Sequence, residues 1–335
     1  MTTMRKVSQM VGVSTATVSR ALKNPEMVLP ETRDKVLKAV EALGYRPNIL
    51  AKNFSSGKTQ TVVVIVTDLT NPFFSRIVQG VEEEAQKLGY SVLLGDTNDD
   101  INRERVYAEM VLNNRADGLI QLDHLFPFAD KDKEIAKTVP MVSVCDAIDG
   151  DYAYPYITID NFAASRDVAK HLISLGHTKI GAIAGRDDSH VTSDRLGGLM
   201  RVMQEHSIPF NQDWFMRGGY TKQCGKESME KLLALADRPT AVYCFSDEIA
   251  IGAIKAIKNH GLRIPEDISI VGFDNVDICE YMDPSLTTVD QPAVDMGRRA
   301  MQILFQLING EPIQSITEYK PYTLLVRDST GPVPN

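Results

Sequence analysis

Residues 12–22, with the sequence GVSTATVSRAL, decide how the first part of this chain folds. Gly12 can end one helix in the left-handed conformation, and Ser14 is a preferred residue for capping the start of the next helix. In that second helix, Val18 and Ala21 share one side by the helical period and can face a small core. The segment therefore predicts two short helices joined by a tight turn.

The opposite side of the second helix is free to approach a DNA major groove. Arginine can bond both major-groove acceptors of a guanine, and small side chains let a helix N-terminus come close to base edges. We predict that the DNA contacts come from Thr15, Ala16, Thr17, Ser19 and Arg20. Arg20 is the leading specificity residue among them. Taken alone, this short pattern also fits an ordinary helical hairpin whose arginine is exposed to solvent.

The charge of the chain is divided unevenly along its length. Residues 1–60 contain ten Lys and Arg against four Asp and Glu, a net charge of +6, whereas the whole chain carries −8. A basic head on an acidic body is the distribution expected when only the head touches phosphates. The acidic remainder should be repelled from DNA.

A third helix is predicted over residues 30–43. Val36, Leu37 and Val40 form its apolar stripe, and Gly44 is a suitable terminator. Together with the two helices before it, this segment predicts a three-helix DNA-binding head over residues 1–46.

Residues 47–59 are predicted to form a hinge with a short helix, because Pro47 breaks the preceding element. With their helix-turn-helix and hinge, residues 2–58 resemble the lactose-repressor and galactose-repressor family of bacterial transcription regulators. In that family two hinge helices pair over the operator centre and insert an apolar side chain into the minor groove. The resemblance implies this role for Phe54, with Lys52 nearby. Packing of Phe54 against the body is the alternative.

From residue 60 onward, short apolar runs alternate with helical stretches. Strands are predicted at 61–66, 91–94, 118–122, 141–144, 157–159, 179–184, 241–245 and 269–273. Helices are predicted at 73–88, 102–113, 161–175, 193–206, 222–235 and 247–261. This alternation is typical of doubly wound parallel sheets, whose carboxyl edges form ligand-binding crevices. Roughly 275 residues exceed one usual core, so we expect two lobes.

The body resembles the same family, notably in residues 71–74, 265–274 and 286–292. The resemblance implies a periplasmic-binding-protein-like α/β body whose lobes close on a small effector, and a homodimer formed by both lobes. We expect a body of residues 60–335, with lobe 1 at about 60–160 and 291–318 and lobe 2 at about 161–290 and 319–330. A dimer also suits a single short recognition helix, because two half-sites of a palindromic operator need a symmetric pair.

Candidate effector-binding residues lie at strand ends and in adjoining loops. A phenylalanine ring can stack on a planar base or a sugar face, and a carboxylate that follows a strand can accept bonds from hydroxyl groups. Phe73 is the better candidate of two adjacent rings, since Phe74 has core packing as its alternative. Asp160 has helix capping as its alternative. The resemblance supplies further positions, so the predicted set is Phe73, Phe74, His124, Asp160, Ser189, Arg195, Tyr220 and Asp274.

Residues 14–22, 24–26, 127–128 and 273–277 resemble nucleoside-responsive members of the family most, with purine-responsive members next. The expected effector is therefore a nucleoside such as cytidine, with a purine base as a further candidate. Because the loop 186–194 is polar, a sugar is the alternative effector. The protein would then be a sugar-responsive repressor of a carbohydrate operon. Another transcription regulator stays open as a protein partner.

Other functional classes find little support in the sequence. An enzyme would need a nucleophile with its base, a metal cluster or a phosphate loop, and the string at 57–59 precedes a strand and lacks the upstream glycine of a phosphate loop. We therefore expect no catalytic residue, cofactor or metal. An exported binding protein would need a signal peptide, and residues 1–19 lack an apolar core segment.

The cysteines and the hydropathy also bear on location. Four scattered cysteines without metal-binding spacing are typical of reduced thiols: Cys145, Cys224, Cys244 and Cys279. The sequence contains no long apolar run that would cross a membrane. We expect a cytoplasmic protein with no membrane partner.

Overall fold

The computed structural model describes residues 3–45, 57–150 and 153–334, and it divides the chain into two compact units, Met1–Thr59 and Gln60–Asn335. The predicted hinge residues Lys52 and Phe54 lie outside the described residues. Each unit is built around its own core.

The head contains three α-helices: α1 (Met4–Val11), α2 (Thr15–Lys23) and α3 (Pro30–Ala42). Gly12 ends α1 with a φ of 76°, a left-handed conformation that glycine adopts without strain. The Ser14 hydroxyl accepts a hydrogen bond from the Thr17 backbone N–H at 3.1 Å, which caps α2. Both features of the turn that the sequence predicts are confirmed.

A small apolar core holds these helices together: Val7, Val18, Ala21, Val36, Ala39 and Tyr45. The predicted stripe on α3 needs one correction, because Leu37 is 46% exposed and Ala39 is buried. Ala39 follows Val36 by about one helical turn and shares its face, whereas adjacent helix positions diverge by roughly 100°.

The body contains two parallel sheets. The six strands of the larger sheet, in spatial order, are β11 (Thr317–Lys320), β5 (Tyr156–Ile159), β4 (Met141–Val144), β3 (Gly118–Gln121), β1 (Thr61–Val66) and β2 (Ser91–Asp96). The four strands of the smaller sheet are β7 (Phe215–Met216), β6 (Ile180–Ile183), β8 (Ala241–Cys244) and β9 (Ser269–Val271). An antiparallel pair, β10 (Thr288–Asp290) and β12 (Thr323–Leu325), completes the strands.

Helices connect these strands: α4 (Pro72–Leu88), α5 (Ile101–Leu112), α6 (Lys133–Ala136), α7 (Asn161–Ser174), α8 (His190–Glu205), α9 (Lys222–Leu233), α10 (Asp247–Asn259), α11 (Ile278–Tyr281) and α12 (Ala293–Ile308). All the predicted strands and helices are present, most of them with shifted ends. The elements that were not predicted are the strands β7, β10, β11 and β12 and the helices α6, α11 and α12. Strand β11 belongs to the larger sheet, so the predicted boundary of lobe 1 at 318 falls inside a strand.

The chain passes between the two sheets after β5, again between β10 and α12, and after β11. Each sheet therefore combines segments that are distant in the sequence. The strands β1, β3, β4, β8 and β9 send their following loops to one cavity, which the carboxyl edges of both sheets border.

The helices α4 and α12 approach one another closely through glycine. A Cβ atom at Gly80 would lie 2.0 Å from the Val294 carbonyl oxygen, and one at Gly297 would lie 2.0 Å from the Ile77 carbonyl oxygen. Because neither position has room for a methyl group, this crossing requires glycine on both helices. The contact joins the chain's late helix to the first helix of the body.

Replacing Gly297 by alanine should therefore destabilise the body. We expect a loss of about 1–3 kcal/mol in the free energy of unfolding, because the methyl group forces the two helices apart. Urea unfolding followed by circular dichroism measures it. The matched control is Gly219→Ala, where the nearest atom to an added Cβ is 4.0 Å away and little change is expected. Equal stability of the two variants would contradict the close-packing account.

Candidate functional site

The outer side of α2 is available to a nucleic acid. Thr15, Ala16 and Arg20 are exposed, while Thr17 and Ser19 are half-buried at the edges of this face. The guanidinium of Arg20 makes no ion pair with any residue in the described part of the head. Its donors are therefore free for an external partner, as direct reading of guanine requires.

The body contains a cavity of about 180 Å³ between its two sheets. A single buried water needs only about 10–15 Å³, so this space is large enough for a small organic ligand. The predicted effector residues that line it are Phe73, Phe74, His124, Ser189, Arg195, Tyr220 and Asp274. Asp160 is absent from this wall.

Asp160 lies instead at the start of α7, where it is exposed. Its carboxylate accepts a hydrogen bond from the Ala163 backbone N–H at 2.8 Å. The helix-cap alternative therefore describes Asp160, and the next residue, Asn161, lines the cavity in its place. A one-residue advance along a strand end is enough to turn a side chain away, since successive side chains alternate in direction.

Two phenylalanines form an aromatic part of the cavity wall. The side-chain amide oxygen of Asn71 accepts a bond from the Phe73 backbone N–H at 3.0 Å and so fixes the start of α4. The ring centres of Phe73 and Phe74 are 5.7 Å apart with an angle of 51° between their planes. Phe73 is buried and Phe74 half-buried, so the structure gives Phe74 the more accessible ring, the reverse of the expected order.

Arg195 is buried and held in place from several directions. Its Nε donates to the Asn161 amide oxygen at 2.9 Å, and a terminal nitrogen donates to the Phe245 carbonyl oxygen. The guanidinium carbon lies 3.5 Å from the centre of the Phe273 ring, a cation–π contact. These contacts leave the remaining donors of Arg195 in a fixed direction beside the cavity.

Asp274 is the acidic partner in this lobe. It is buried, and it accepts a hydrogen bond from the Gln291 amide nitrogen at 2.7 Å. Burial raises the pKa of Asp274 well above its ordinary value, while the positive charge of Arg195 opposes that shift. Its φ of 117° is unusual for a residue other than glycine, as is common where function constrains the backbone.

Ser189 and Tyr220 lie on the same side of the cavity. Ser189 caps α8 and also donates to Asp146 Oδ2 at 3.0 Å, which joins the two lobes of the cleft. The Tyr220 hydroxyl shares a 2.7 Å hydrogen bond with Thr192. The ring of Tyr220 lies against Gly185, where an added Cβ would approach within 2.1 Å of it. Only glycine at that position leaves space for the ring.

His124 is buried beside Asp123. Its Nδ1 and its backbone N–H both donate to Asp123 Oδ1, each at 2.7 Å. Burial alone would lower the pKa of His124, but the hydrogen bond to Asp123 and the charges of Asp123, Asp146 and Asp149 raise it overall. The cationic form of His124 is therefore more stable than that of an exposed histidine.

Sequence reasoning missed several residues of the wall: Asp123, Asp146, Asn161, Arg186 and Gln291. Asp123 and Asp146 follow β3 and β4 by two residues, so their place after apolar strands was a usable signal. Arg186 reaches across the cleft and donates a hydrogen bond to Asp99 at 2.9 Å. The two residues are 87 positions apart, so no local sequence pattern predicts their contact.

A buried carboxyl group lies behind this wall. Glu104 on α5 is fully buried, and its Oε2 accepts from the Gln121 amide nitrogen at 3.2 Å. Burial, with the negative charge of Asp123, raises the pKa of Glu104 to about 7. The folded protein therefore holds a proton here that an unfolded chain would release at lower pH.

Over the described residues, no group of three or more His, Cys, Asp and Glu side chains is arranged to hold a metal ion. No helix found in those residues is long and apolar enough to cross a membrane.

A basic helix-turn-helix head joined to a two-sheet body with a ligand-sized cleft defines a ligand-responsive DNA-binding protein. Residues 3–48 match the model of bacterial regulatory proteins of the lacI family, and residues 169–330 match that of a periplasmic binding protein-like domain. The sequence is 36% identical to the HTH-type transcriptional repressor CytR of Escherichia coli (strain K12), covering 99% of this chain and 97% of that protein.

Two further comparisons agree. The HTH-type transcriptional repressor PurR of Vibrio vulnificus (strain CMCP6) is 35% identical, with 98% of each chain covered. The crystal structure of the lac repressor dimer bound to operator and the anti-inducer ONPF has a TM-score of 0.86 at 27% identity, covering 98% of this chain and 99% of that one. The chain therefore belongs to the lacI family of bacterial regulatory proteins. It is a DNA-binding transcriptional repressor and not an enzyme.

The buried carboxyl of Glu104 should make stability depend on pH. Its folded pKa is raised, so its contribution is fully present below its ordinary value of 4.5 and is lost as pH rises through about 7. We expect Glu104→Gln, which cannot ionise, to avoid about 2 kcal/mol of that loss between pH 5 and 8. Urea unfolding at several pH values measures it.

Glu109→Gln is the matched control, since Glu109 is exposed on the same helix. It should follow the wild-type pH dependence. If Glu104→Gln also follows the wild-type curve, Glu104 is not the group that loses its proton in this range.

Proposed function

We propose that the protein binds a palindromic operator as a homodimer and that a nucleoside in the cleft changes its operator affinity. The main observation behind this proposal is a single cavity whose wall contains two phenylalanine rings together with Arg195 and Asp274. A nucleoside has a flat base for the rings and hydroxyl groups for the polar pair. The sequence resemblance to nucleoside-responsive regulators supports the same effector class.

The DNA-binding part of the proposal rests on α2. Its free face carries Arg20 and Lys23, and the small side chains at its N-terminus leave base edges accessible. One such helix covers one half-site, so a symmetric dimer would read both halves of the operator. Insertion of Phe54 into the minor groove stays a prediction. Because the proposed target is operator DNA, we expect the protein to act in the cytoplasm.

The response to the effector requires a difference in its affinity for two arrangements of the repressor. A coupling free energy of about 1–3 kcal/mol would change operator affinity by several-fold to about a hundredfold. The contacts between lobes, such as Ser189 with Asp146, are suited to this because they join segments on both sides of the cleft. An additional transcription regulator as partner remains open.

A sugar-responsive repressor of a carbohydrate operon is the second candidate. It is favoured by the charged loop at the cleft, where Arg186 bonds Asp188 at 2.9 and 3.0 Å and Asp99 at 2.9 Å. Polar groups in such number suit a ligand made mostly of hydroxyls. The aromatic wall is common to both ligand classes, so a ligand panel has to separate them.

Replacing Arg20 by alanine should reduce discrimination among operators. Loss of a bidentate guanine contact is expected to lower the free energy that separates operator from scrambled DNA by about 1–3 kcal/mol. Fluorescence anisotropy with both duplexes, at fixed salt, measures the ratio of dissociation constants.

Lys23→Ala is the control for charge, since Lys23 is also exposed on α2. It should weaken both duplexes alike and lower the salt slope by about 1. Unchanged selectivity in Arg20→Ala would remove Arg20 from the base-reading set.

The effector class can be tested by thermal shift and calorimetry with cytidine, uridine, adenosine, hypoxanthine, guanine and common hexoses. A ligand at a hundredfold excess over its dissociation constant should stabilise the native body by about 2.7 kcal/mol. Stabilisation by hexoses alone would replace the nucleoside proposal with the carbohydrate alternative.

Asp274→Ala should abolish the effector response and spare operator binding, because the carboxylate lies in the cavity wall of the body. Asp213→Ala, an exposed site in the same lobe, is the matched control and should respond like wild type. A fully responsive Asp274→Ala protein would exclude this carboxylate from the effector site.

A further inference from the structure

Two adjacent residues of the cavity wall carry buried polar atoms that lack hydrogen bonds. Within the part of the chain that the structure describes, Asp123 Oδ2 and His124 Nε2 have no hydrogen-bond partner. Asp123 is 6% exposed and His124 is 2% exposed. Both residues line the cavity, in the loop that follows β3.

Such atoms are costly to leave unpaired. A buried polar group without a partner costs about 1–3 kcal/mol, and more when it is charged. Native proteins pair most of these groups, so an unpaired acceptor and a neighbouring unpaired nitrogen in a ligand-sized cavity point to a partner that arrives from outside.

The nearest charged side chains do not supply that partner. Arg186 has a terminal nitrogen 3.6 Å from Asp123 Oδ2, and Asp188 has a carboxylate oxygen 3.7 Å from His124 Nε2. Both contacts are ion pairs, but their distances exceed those of a hydrogen bond, so the hydrogen-bonding capacity of the two atoms stays unused. Arg186 and Asp188 are bonded to each other, which satisfies them in their present positions.

The two unpaired atoms have defined chemistry. An ionised carboxylate only accepts hydrogen bonds, and Oδ1 of Asp123 already receives two, so Oδ2 is the acceptor that is left. His124 donates through Nδ1 to Oδ1 of Asp123. Nε2 faces a carboxylate oxygen of Asp188 at 3.7 Å, so both ring nitrogens are directed at acidic oxygens and Nε2 is assigned as a donor. The wall therefore presents an acceptor beside a donor.

The edge of a nucleobase has the complementary arrangement. Cytosine carries an exocyclic amino donor next to the ring nitrogen acceptor N3, and adenine carries the same pair at its amino group and N1. We infer that Asp123 and His124 read the base edge of the effector, with the base donor on Asp123 Oδ2 and the adjacent acceptor on His124 Nε2. This assignment rests on the proposed nucleoside effector.

Analogues that differ from a nucleoside by one polar group test the assignment directly. The first set is cytidine, the riboside of pyrimidin-2-one, which lacks the amino group, and 3-deazacytidine, which lacks the ring acceptor. Adenosine, purine riboside and 1-deazaadenosine form the equivalent purine set. 2′-Deoxycytidine and 2′-deoxyadenosine report on the sugar. Calorimetry on the full-length protein gives each dissociation constant.

In wild type, removal of the amino group or of the ring acceptor should each weaken binding about 10- to 100-fold, since each leaves one buried wall atom unpaired. Asp123→Asn keeps the shape of the side chain and can place an amide donor where the acceptor was. In this variant the dissociation constants of the nucleoside and of its analogue without the amino group should differ by no more than about threefold. The loss of affinity for 2′-deoxy sugars should stay as in wild type.

His124→Phe fills a similar volume without a polar nitrogen. It should lose the discrimination against the deaza analogue and keep that against the analogue without an amino group. Asp130→Asn is the matched control, since Asp130 is exposed in the same lobe and its change removes the same charge. It should reproduce every wild-type ratio. Circular dichroism and operator binding establish that each variant is folded.

The outcomes separate this inference from the proposed function. If wild type binds a nucleoside but tolerates both single-group analogues, or if Asp123→Asn keeps the amino preference, the base-reading assignment is overturned and the nucleoside proposal stands. If wild type binds hexoses and no nucleoside, the proposed effector class and this assignment both fail. The assignment is supported if Asp123→Asn loses only the discrimination against the analogue without an amino group, His124→Phe loses only that against the deaza analogue, and Asp130→Asn keeps both.

Discussion

The effector cleft depends on the buried guanidinium of Arg195. This charge contacts the start of α7 through Asn161, the end of β8 through Phe245 and the end of β9 through the Phe273 ring. A buried cation is tolerated only when hydrogen bonds and counter-charges surround it, so these strand ends must keep their relative positions. The same charge partly offsets the rise that burial causes in the pKa of Asp274.

Burial gives the rest of the cleft its chemical character. Asp146, Asp274 and Glu104 all have a raised pKa, in each case chiefly because burial disfavours the charged form. His124 is also affected by burial, which lowers its pKa, but the hydrogen bond and charge of Asp123 raise that pKa overall. The cleft therefore presents donors and acceptors on largely buried residues, where a mismatched ligand leaves a costly unpaired group.

The functional separation between head and body follows from their charge. The head carries +6 over residues 1–60 and presents its polar helix face outward, whereas the body is acidic and buries its polar groups around a cavity. Phosphate attraction acts over about a Debye length and favours the head, while selection of a small molecule depends on short-range contacts. The two tasks thus use different physics in one chain.

The sequence by itself determined the local elements and their order. Gly12 and Ser14 specify the turn through their own backbone and capping preferences, and the apolar runs from 61–66 to 269–273 specify buried parallel strands. Phe73, Phe74 and Asp274 were also within reach, because positions after apolar strands meet at one sheet edge. The other predicted residues of the cavity wall came from the family resemblance. The local predictions succeed because the governing interactions are close in sequence.

Only the tertiary structure decided what depends on distant pairing. Strand β11 joins the larger sheet beside β5, and the cap of α7 takes Asp160 out of the cavity and leaves Asn161 in it. Asp123 and His124 became notable once packing had buried them and left two of their atoms unpaired. Burial and hydrogen-bond satisfaction are properties of the whole packed chain, so no local pattern contains them.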